Sequence, residues 1–292
     1  MKDTLTLFVL KWLGHCPLSV GRALGSVVGW LMWHSRGRAR RVTLENLTLC
    51  WPELSDTERD QLARRSLKET GKTAAEAAAV WQNSPQWLMQ KIVEVEGARY
   101  LQEGLESGRG VLVLAPHLGN WEVVGSFLAT QAPTTALYQP PRQPALDALI
   151  YEGRRRSNMA LAPTNRRGVG QLLKALKRRE IVGILPDQVP EPGNGGEVAP
   201  FFGQPALTMT LVHNLIQRTG CTVVSVFAER VPAGFKVVIR PADEGIYRDT
   251  VVESVTALNR SVEECVRRAP AQYQWEYKRF RRLPADYPQR YR

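Results

Sequence analysis

From Gly110 onward, short apolar runs alternate with longer segments of helical periodicity, and this alternation restricts the possible folds more than any other feature of the chain. "GVLVLA" (110–115), "TTALY" (134–138) and "IVGILP" (181–186) read as buried strands. "WEVVGSFLAT", "ALDALIYEGRRRS" and "GVGQLLKALKRRE" read as the helices between them. Further on, "LTMTLVHNLIQRTG" predicts a helix, "TVVSVFAER" and "FKVVIRP" predict strands, and "TVVESVTALNRSVEECVRRAP" predicts a long helix. Continuous rather than alternating apolar strands are buried on both faces, so the expectation is an α/β fold with a mainly parallel central sheet flanked by helices. The Gly- and Pro-rich stretch 187–206 is expected to be a long loop, of the kind compact domains keep for function.

The amino-terminal part differs. Residues 4–33 are apolar but interrupted by Lys11, His15, Pro17 and Arg22, which deny them the roughly 20 uninterrupted apolar residues of a spanning helix. An amphipathic helix or helical hairpin lying in one leaflet is expected, with Arg36, Arg38, Arg40 and Arg41 placed for anionic headgroups. The chain therefore divides into a membrane-associated helical segment (1–35) and a catalytic domain (36–292). Early in the second of these, 55–81 has the composition of a helix opening on a Ser or Asp cap. Its Gly71, Lys72 and Thr73 imitate a phosphate loop, but Ser66 stands where the first glycine is required and no strand precedes it.

A formal charge of +11 requires a negatively charged partner. Nucleic acid is excluded from the expectation, because the arginines are scattered and no recognition motif is present. Cys16, Cys50, Cys221 and Cys265 form no CxxC pair, and no HExxH occurs, so no cofactor or metal is expected.

One short stretch carries chemistry. In "APHLGNWEVV" (115–124), His117 and Glu122 are five positions apart, about 500° around a helix, so on one helix they could not cooperate. Across a strand-to-helix junction they could: Gly119 permits the turn, Asn120 caps the helix, and Glu122 reaches back to His117. That junction lies beyond the carboxyl end of a strand, where open α/β sheets bind ligands. A neutral imidazole held in one tautomer by a carboxylate is a good general base. No GxSxG elbow supplies a nucleophile, so direct acyl transfer to an acceptor hydroxyl is simpler than a covalent acyl-enzyme, and hydrolysis by an activated water is the rival.

The string "VLVLAPHLGNWEVVG", together with "RRVTLENLTLCWPELS", "YQPPRQPALDALI", "GVGQLLKALKRREIVGILPDQ", "PFFGQPALT" and "QYQWEYKRFR", resembles the late acyltransferases of lipid A biosynthesis, within the wider glycerolipid acyltransferase superfamily. The resemblance implies transfer of a fatty acyl group from acyl carrier protein to the hydroxyl of a 3-hydroxyacyl chain on a lipid A precursor. It places this at the cytoplasmic face of the inner membrane, with His117 as base and Glu122 as its orienting partner. Superfamily acceptors such as a glycerolipid, ornithine lipid or glycolipid would keep the chemistry and change only the substrate.

Other candidates follow from chemistry. Arg142, Arg166 and Arg167 suit phosphate, which guanidinium binds through two parallel hydrogen bonds. Asp187 and Gln188 end a predicted strand on the same sheet edge as His117. Glu197 and the adjoining "PFFG" would wall an acceptor or acyl channel, although Phe201 and Phe202 read first as core. His213 reads as a hydrogen-bonded structural histidine. The basic, aromatic tail from Lys278 is either a frayed end or a docking element for membrane or acidic carrier protein.

Overall fold

The structure, a computed structural model, describes residues 2–291. Helices α1 (Lys2–His15), α2 (Leu18–His34), α3 (Arg38–Cys50), α4 (Asp56–Gln82) and α5 (Pro85–Lys91) precede the first strand. There follow β1 (Ile92–Glu96), α6 (Ala98–Glu106), β2 (Val111–Leu114), α7 (Trp121–Gln131), β3 (Thr134–Tyr138), α8 (Pro144–Arg156), β4 (Ala160–Pro163), α9 (Arg166–Lys177) and β5 (Ile181–Ile184). The chain continues through β6 (Gly196–Phe201), β7 (Gln204–Met209), α10 (Leu211–Thr219), β8 (Thr222–Val231), β9 (Gly234–Pro241) and α11 (Val251–Arg268).

Seven strands form one sheet in the order β1-β9-β8-β2-β5-β3-β4. Its pairings are parallel except for the β8–β9 hairpin. The mainly parallel α/β expectation therefore holds. β2 and β5, wholly buried, lie at the centre because both their faces are covered. Val111 and Val113 pack with Val123 and Phe127 of α7 on one face; Leu112 and Leu114 pack with Leu172, Leu176 and Leu215 on the other.

Two expectations need correction. The stretch 187–206 is not all loop, and the helix predicted from Leu207 begins only at Leu211. β6 and β7 form an antiparallel hairpin in which Phe201 pairs with Gln204. Its turn residues Phe202 and Gly203 both have positive φ, 48° and 72°, the backbone a tight two-residue hairpin requires. Phe202 is held in that conformation because its N–H donates to Glu263 Oε1 (2.7 Å) and its ring packs against Trp51 and Trp275. Phe201 and Phe202 are core, as read.

α1 and α2 both pack on α4, and no helix among the described residues is long and apolar enough to cross a membrane. Gly25 and Gly29 set α2 directly on α4: a Cβ on Gly25 would lie 2.4 Å from the Gly71 carbonyl oxygen, and one on Gly29 2.2 Å from that of Leu67. The opposite side leaves Phe8, Trp12, Val27, Val28, Trp30 and Leu31 exposed. Arg22, one of the charges that breaks the apolar run, turns inward. It donates to Glu76 Oε1 (2.6 Å) and to the carbonyls of Val231 and Gly234 (2.7 Å each). α4 opens on Ser55 with a capping box to Glu58.

Candidate active site

Sheet register builds the site. The parallel pairing sets Leu114 opposite Ile184, and His117 and Asp187 each stand three residues further on. They therefore leave the sheet side by side at its carboxyl edge. His117 Nδ1 lies 2.8 Å from Asp187 Oδ1, and the His117 backbone N–H donates to Asp187 Oδ2 at 2.9 Å. A carboxylate only accepts, so Nδ1 carries the proton, and in the neutral imidazole Nε2 is then the nitrogen with the lone pair. Asp187 is buried, which by itself would raise its pKa; the His117 charge and the hydrogen bonds from the His117 ring and backbone outweigh burial and hold it below the ordinary carboxylate range. Gln188 Nε2 lies 3.1 Å from His117 Nε2, and the Trp121 ring meets the imidazole edge-on at 4.8 Å between centroids.

The junction is built as expected, but its carboxylate is not where the spacing put it. Gly119 has φ +61°, and a Cβ there would lie 2.0 Å from the Ala228 carbonyl oxygen, so glycine is required twice over. Asn120 caps α7, its side-chain oxygen accepting from the N–H groups of Glu122 (3.1 Å) and Val123 (3.4 Å). Glu122, however, makes no direct hydrogen bond to His117 among the described residues. Its buried carboxylate receives Arg154 through two hydrogen bonds, Nη2 to Oε1 at 2.7 Å and Nε to Oε2 at 3.1 Å. Burial would raise the Glu122 pKa, and the Arg154 charge overrides it and lowers it. The physical reason is direction: from the first turn of α7 the side chain runs to α8, while both ring nitrogens of His117 are already taken by Asp187 and Gln188.

A segment that sequence reasoning left without a role closes the other side. Gln274 N–H donates to the His117 carbonyl (3.1 Å), Gly119 N–H to that of Gln272 (3.0 Å) and Val189 N–H to the Tyr277 hydroxyl (2.9 Å). Asn46 anchors the segment from α3, donating to the carbonyls of Trp275 (2.7 Å) and Tyr277 (2.8 Å). Tyr273, fully buried, hydrogen-bonds Asp187, and burial followed by that carboxylate raises its pKa. Glu276 accepts from Thr70 Oγ1 at 3.1 Å, and burial lifts its pKa. The available signal was "QYQWEY" itself, polar and aromatic residues interleaved after the last helix.

The remaining candidates lie elsewhere. Arg142 is exposed between β3 and α8, and Arg166 and Arg167 are exposed on the first turn of α9, which Asn165 caps. Glu197, half-buried on β6, accepts from the Val198 N–H (3.1 Å). None of the four makes a hydrogen bond to His117, Asp187 or Gln188. His213 is buried in α10 with an Nδ1 that finds no partner among the described residues, contrary to the expected satisfied histidine. The tail is not frayed where described: buried Arg279 donates to the Leu207 carbonyl and to Thr208 Oγ1, both at 2.7 Å.

The arrangement is an imidazole with one nitrogen locked to a carboxylate and the other met by the Gln188 amide, at the end of two central strands. It can take a proton from a hydroxyl or water. A family model described as bacterial lipid A biosynthesis acyltransferase matches residues 1–282. The chain is 28% identical over 292 residues to the lipid A biosynthesis lauroyltransferase of Escherichia coli (strain K12), covering 97% of this chain and 94% of that one. It is 28% identical over 288 residues to the lipid A biosynthesis palmitoleoyltransferase of the same organism, with 94% and 92% covered, and 24% identical over 255 residues to its lipid A biosynthesis myristoyltransferase, with 86% and 77% covered. With this match spanning nearly its whole length, the chain belongs to the bacterial lipid A biosynthesis acyltransferase family and is an acyltransferase.

Proposed function

We propose that the protein transfers a fatty acyl group from acyl carrier protein to the hydroxyl of a 3-hydroxyacyl chain on a lipid A precursor, at the cytoplasmic face of the inner membrane. The observation that carries the mechanism is the pairing of His117 Nδ1 with Asp187, which leaves Nε2 as the basic nitrogen. The acceptor hydroxyl gives its proton to Nε2 as its oxygen bonds to the thioester carbonyl carbon. The carbon–sulfur bond breaks, and the imidazolium returns the proton to the departing thiolate. Asp187 stabilises the imidazolium in between, and no covalent acyl-enzyme forms. Glu122 contributes by clamping α8 to α7 through Arg154, beneath the loop that carries His117.

Membrane association is supported by the exposed apolar side chains of α1 and α2 and by exposed Arg36, Arg38 and Arg41 directly after α2, a pairing of apolar surface with cations that suits an anionic leaflet. Arg142, Arg166 and Arg167 would meet phosphates of the acceptor or of the carrier's prosthetic group; Glu197 would line the acceptor channel.

The test is an acyl-transfer assay in detergent with acyl carrier proteins of several chain lengths, a lipid A precursor and His117→Ala alongside. Product from the wild-type chain and none from the variant is expected. Equal product from a folded His117→Ala protein would remove the base, and transfer only to glycerolipids would remove the acceptor.

A further inference from the structure

The amide of Gln188 uses both of its N–H bonds at the site. Its nitrogen lies 3.1 Å from His117 Nε2 and 3.3 Å from Gln274 Oε1. The orientation is forced from both ends. Nε2 presents a lone pair because Asp187 holds the Nδ1 proton, and Gln274 presents a carbonyl oxygen, so each needs a donor. Gln274 is itself fixed: its side chain hydrogen-bonds Glu276, and its backbone N–H donates to the His117 carbonyl. The lone pair that would do the chemistry is therefore covered by an amide that the C-terminal segment holds in place.

We propose that Gln188, anchored by Gln274, caps His117 Nε2 between turnovers and so favours acyl transfer to a lipid hydroxyl over hydrolysis by water. This rests on the reading of His117 as general base. The two reactions share every step. An oxygen bonds to the thioester carbonyl carbon while its proton passes to Nε2, the carbon–sulfur bond breaks, and the proton passes on to the thiolate. They differ in what displaces the cap. A water must break the amide hydrogen bond with nothing to offset it, whereas an acceptor lipid brings the binding energy of its remaining groups to the same task. The His117 side chain is only 13% exposed, so the amide and the solvent compete for one narrow approach. Gln188 is thus a positioning residue that selects the nucleophile.

The experiment uses Gln188→Leu, which keeps bulk and removes the donor, with a long-chain acyl carrier protein thioester. Free fatty acid is measured without acceptor, and transfer is measured with a lipid A precursor. Hydrolysis is expected to rise about five- to tenfold, the equivalent of one net hydrogen bond, and the transfer-to-hydrolysis ratio to fall at least as far. A gain of hydrolysis needs the assembled base, so it cannot come from an unfolded chain. Gln274→Leu, which releases the anchor and leaves Nε2 untouched, is expected to move the ratio the same way by roughly half that factor on a logarithmic scale. Hydrolysis unchanged, or falling in step with transfer, in both variants overturns the cap. His117→Ala separates the two readings: if it retains either reaction the base itself fails, and if it abolishes both while Gln188→Leu keeps the wild-type ratio, the cap alone is overturned.

Discussion

Two buried carboxylates, each with one principal partner, stand at opposite ends of the His117-to-Glu122 stretch, and they are built for different work. His117–Asp187 joins the ends of two adjacent strands and leaves one ring nitrogen to a displaceable amide, that of Gln188. Glu122–Arg154 joins two helices and spends both carboxylate oxygens and the guanidinium fork on itself, with Arg154 also 4.9 Å over the Tyr138 ring and Tyr138 hydrogen-bonded to Asp147. The first pair keeps capacity for a substrate; the second is closed. A carboxylate's place in a motif therefore says less about its role than whether its partner has anything left to give.

The largest effects should fall on the open pair. His117→Ala should cut transfer roughly 10³- to 10⁴-fold, within the range for removing a general base, with little change in thermal stability. Asp187→Asn should cost roughly 10²- to 10³-fold, because an amide can donate to Nδ1 and turn the imidazole into the wrong tautomer. If Asp187→Asn keeps wild-type kcat while Glu122→Gln loses it with the fold intact, the two carboxylates have been assigned the wrong way round.

The closed pair should report as stability. Removing one partner of a buried ion pair leaves the other charge uncompensated, at about 3–5 kcal/mol, so Glu122→Leu should melt far below the wild type. The double variant Glu122→Leu/Arg154→Met should recover most of that loss and the activity with it. A double variant as stable as wild type but as inactive as His117→Ala would show that Glu122 reaches the chemistry after all. Acid should tell the same story. The Glu122 and Asp187 pKa values are both lowered in the folded chain, so the stability they contribute is complete above the ordinary carboxylate pKa of about 4 and is lost as pH falls below it. Acid denaturation curves should thus be steepest below about pH 4 for the wild type and shallower for the double variant.

The contrast also marks what one sequence can carry. β2 and β5 were legible within a residue or two, because a buried parallel strand is an uninterrupted apolar run, and β3, "TTALY", to its exact ends from its β-branched and aromatic residues after a proline. β1, "IVEVE", has a mostly exposed edge pattern, and β4, "ALAP", is four residues ending in proline; neither announces itself. The β6–β7 hairpin hid behind glycines and prolines, and behind a Phe at a turn position where Gly or Asn is usual. The sheet edge shared by His117 and Asp187 followed from two strand assignments, but the register that makes them touch is a relation between chain segments 70 residues apart. Spacing along one segment favoured Glu122 instead. Arg154 gave no sign at all, being one of three consecutive arginines, of which the neighbouring Arg155 reaches only an exposed Glu152.

Asn120 connects the two pairs and gives the smallest test of their separation. Its side-chain oxygen caps α7 beside Glu122, its nitrogen donates to buried Glu76 Oε2 at 3.3 Å, and its backbone N–H donates to the Ala228 carbonyl at 3.0 Å. Glu76 stays compensated without it, because Arg230 contacts both its oxygens at 2.5–2.6 Å. Asn120→Ala should therefore cost only a helix cap, about 1 kcal/mol, or about 2 °C in melting temperature for a chain of this size. Asn120→Asp keeps the cap acceptor but sets a carboxylate against Glu76, so it should melt below the alanine variant, the reverse of the order at a solvent-exposed cap. Because the His117–Asp187 contact is made by strand register rather than by the cap, kcat in Asn120→Ala should stay within about threefold of wild type, the scale of a small displacement rather than a lost base. A loss as large as that of Asp187→Asn would mean that α7 sets the imidazole, and that the open and closed pairs work as one unit.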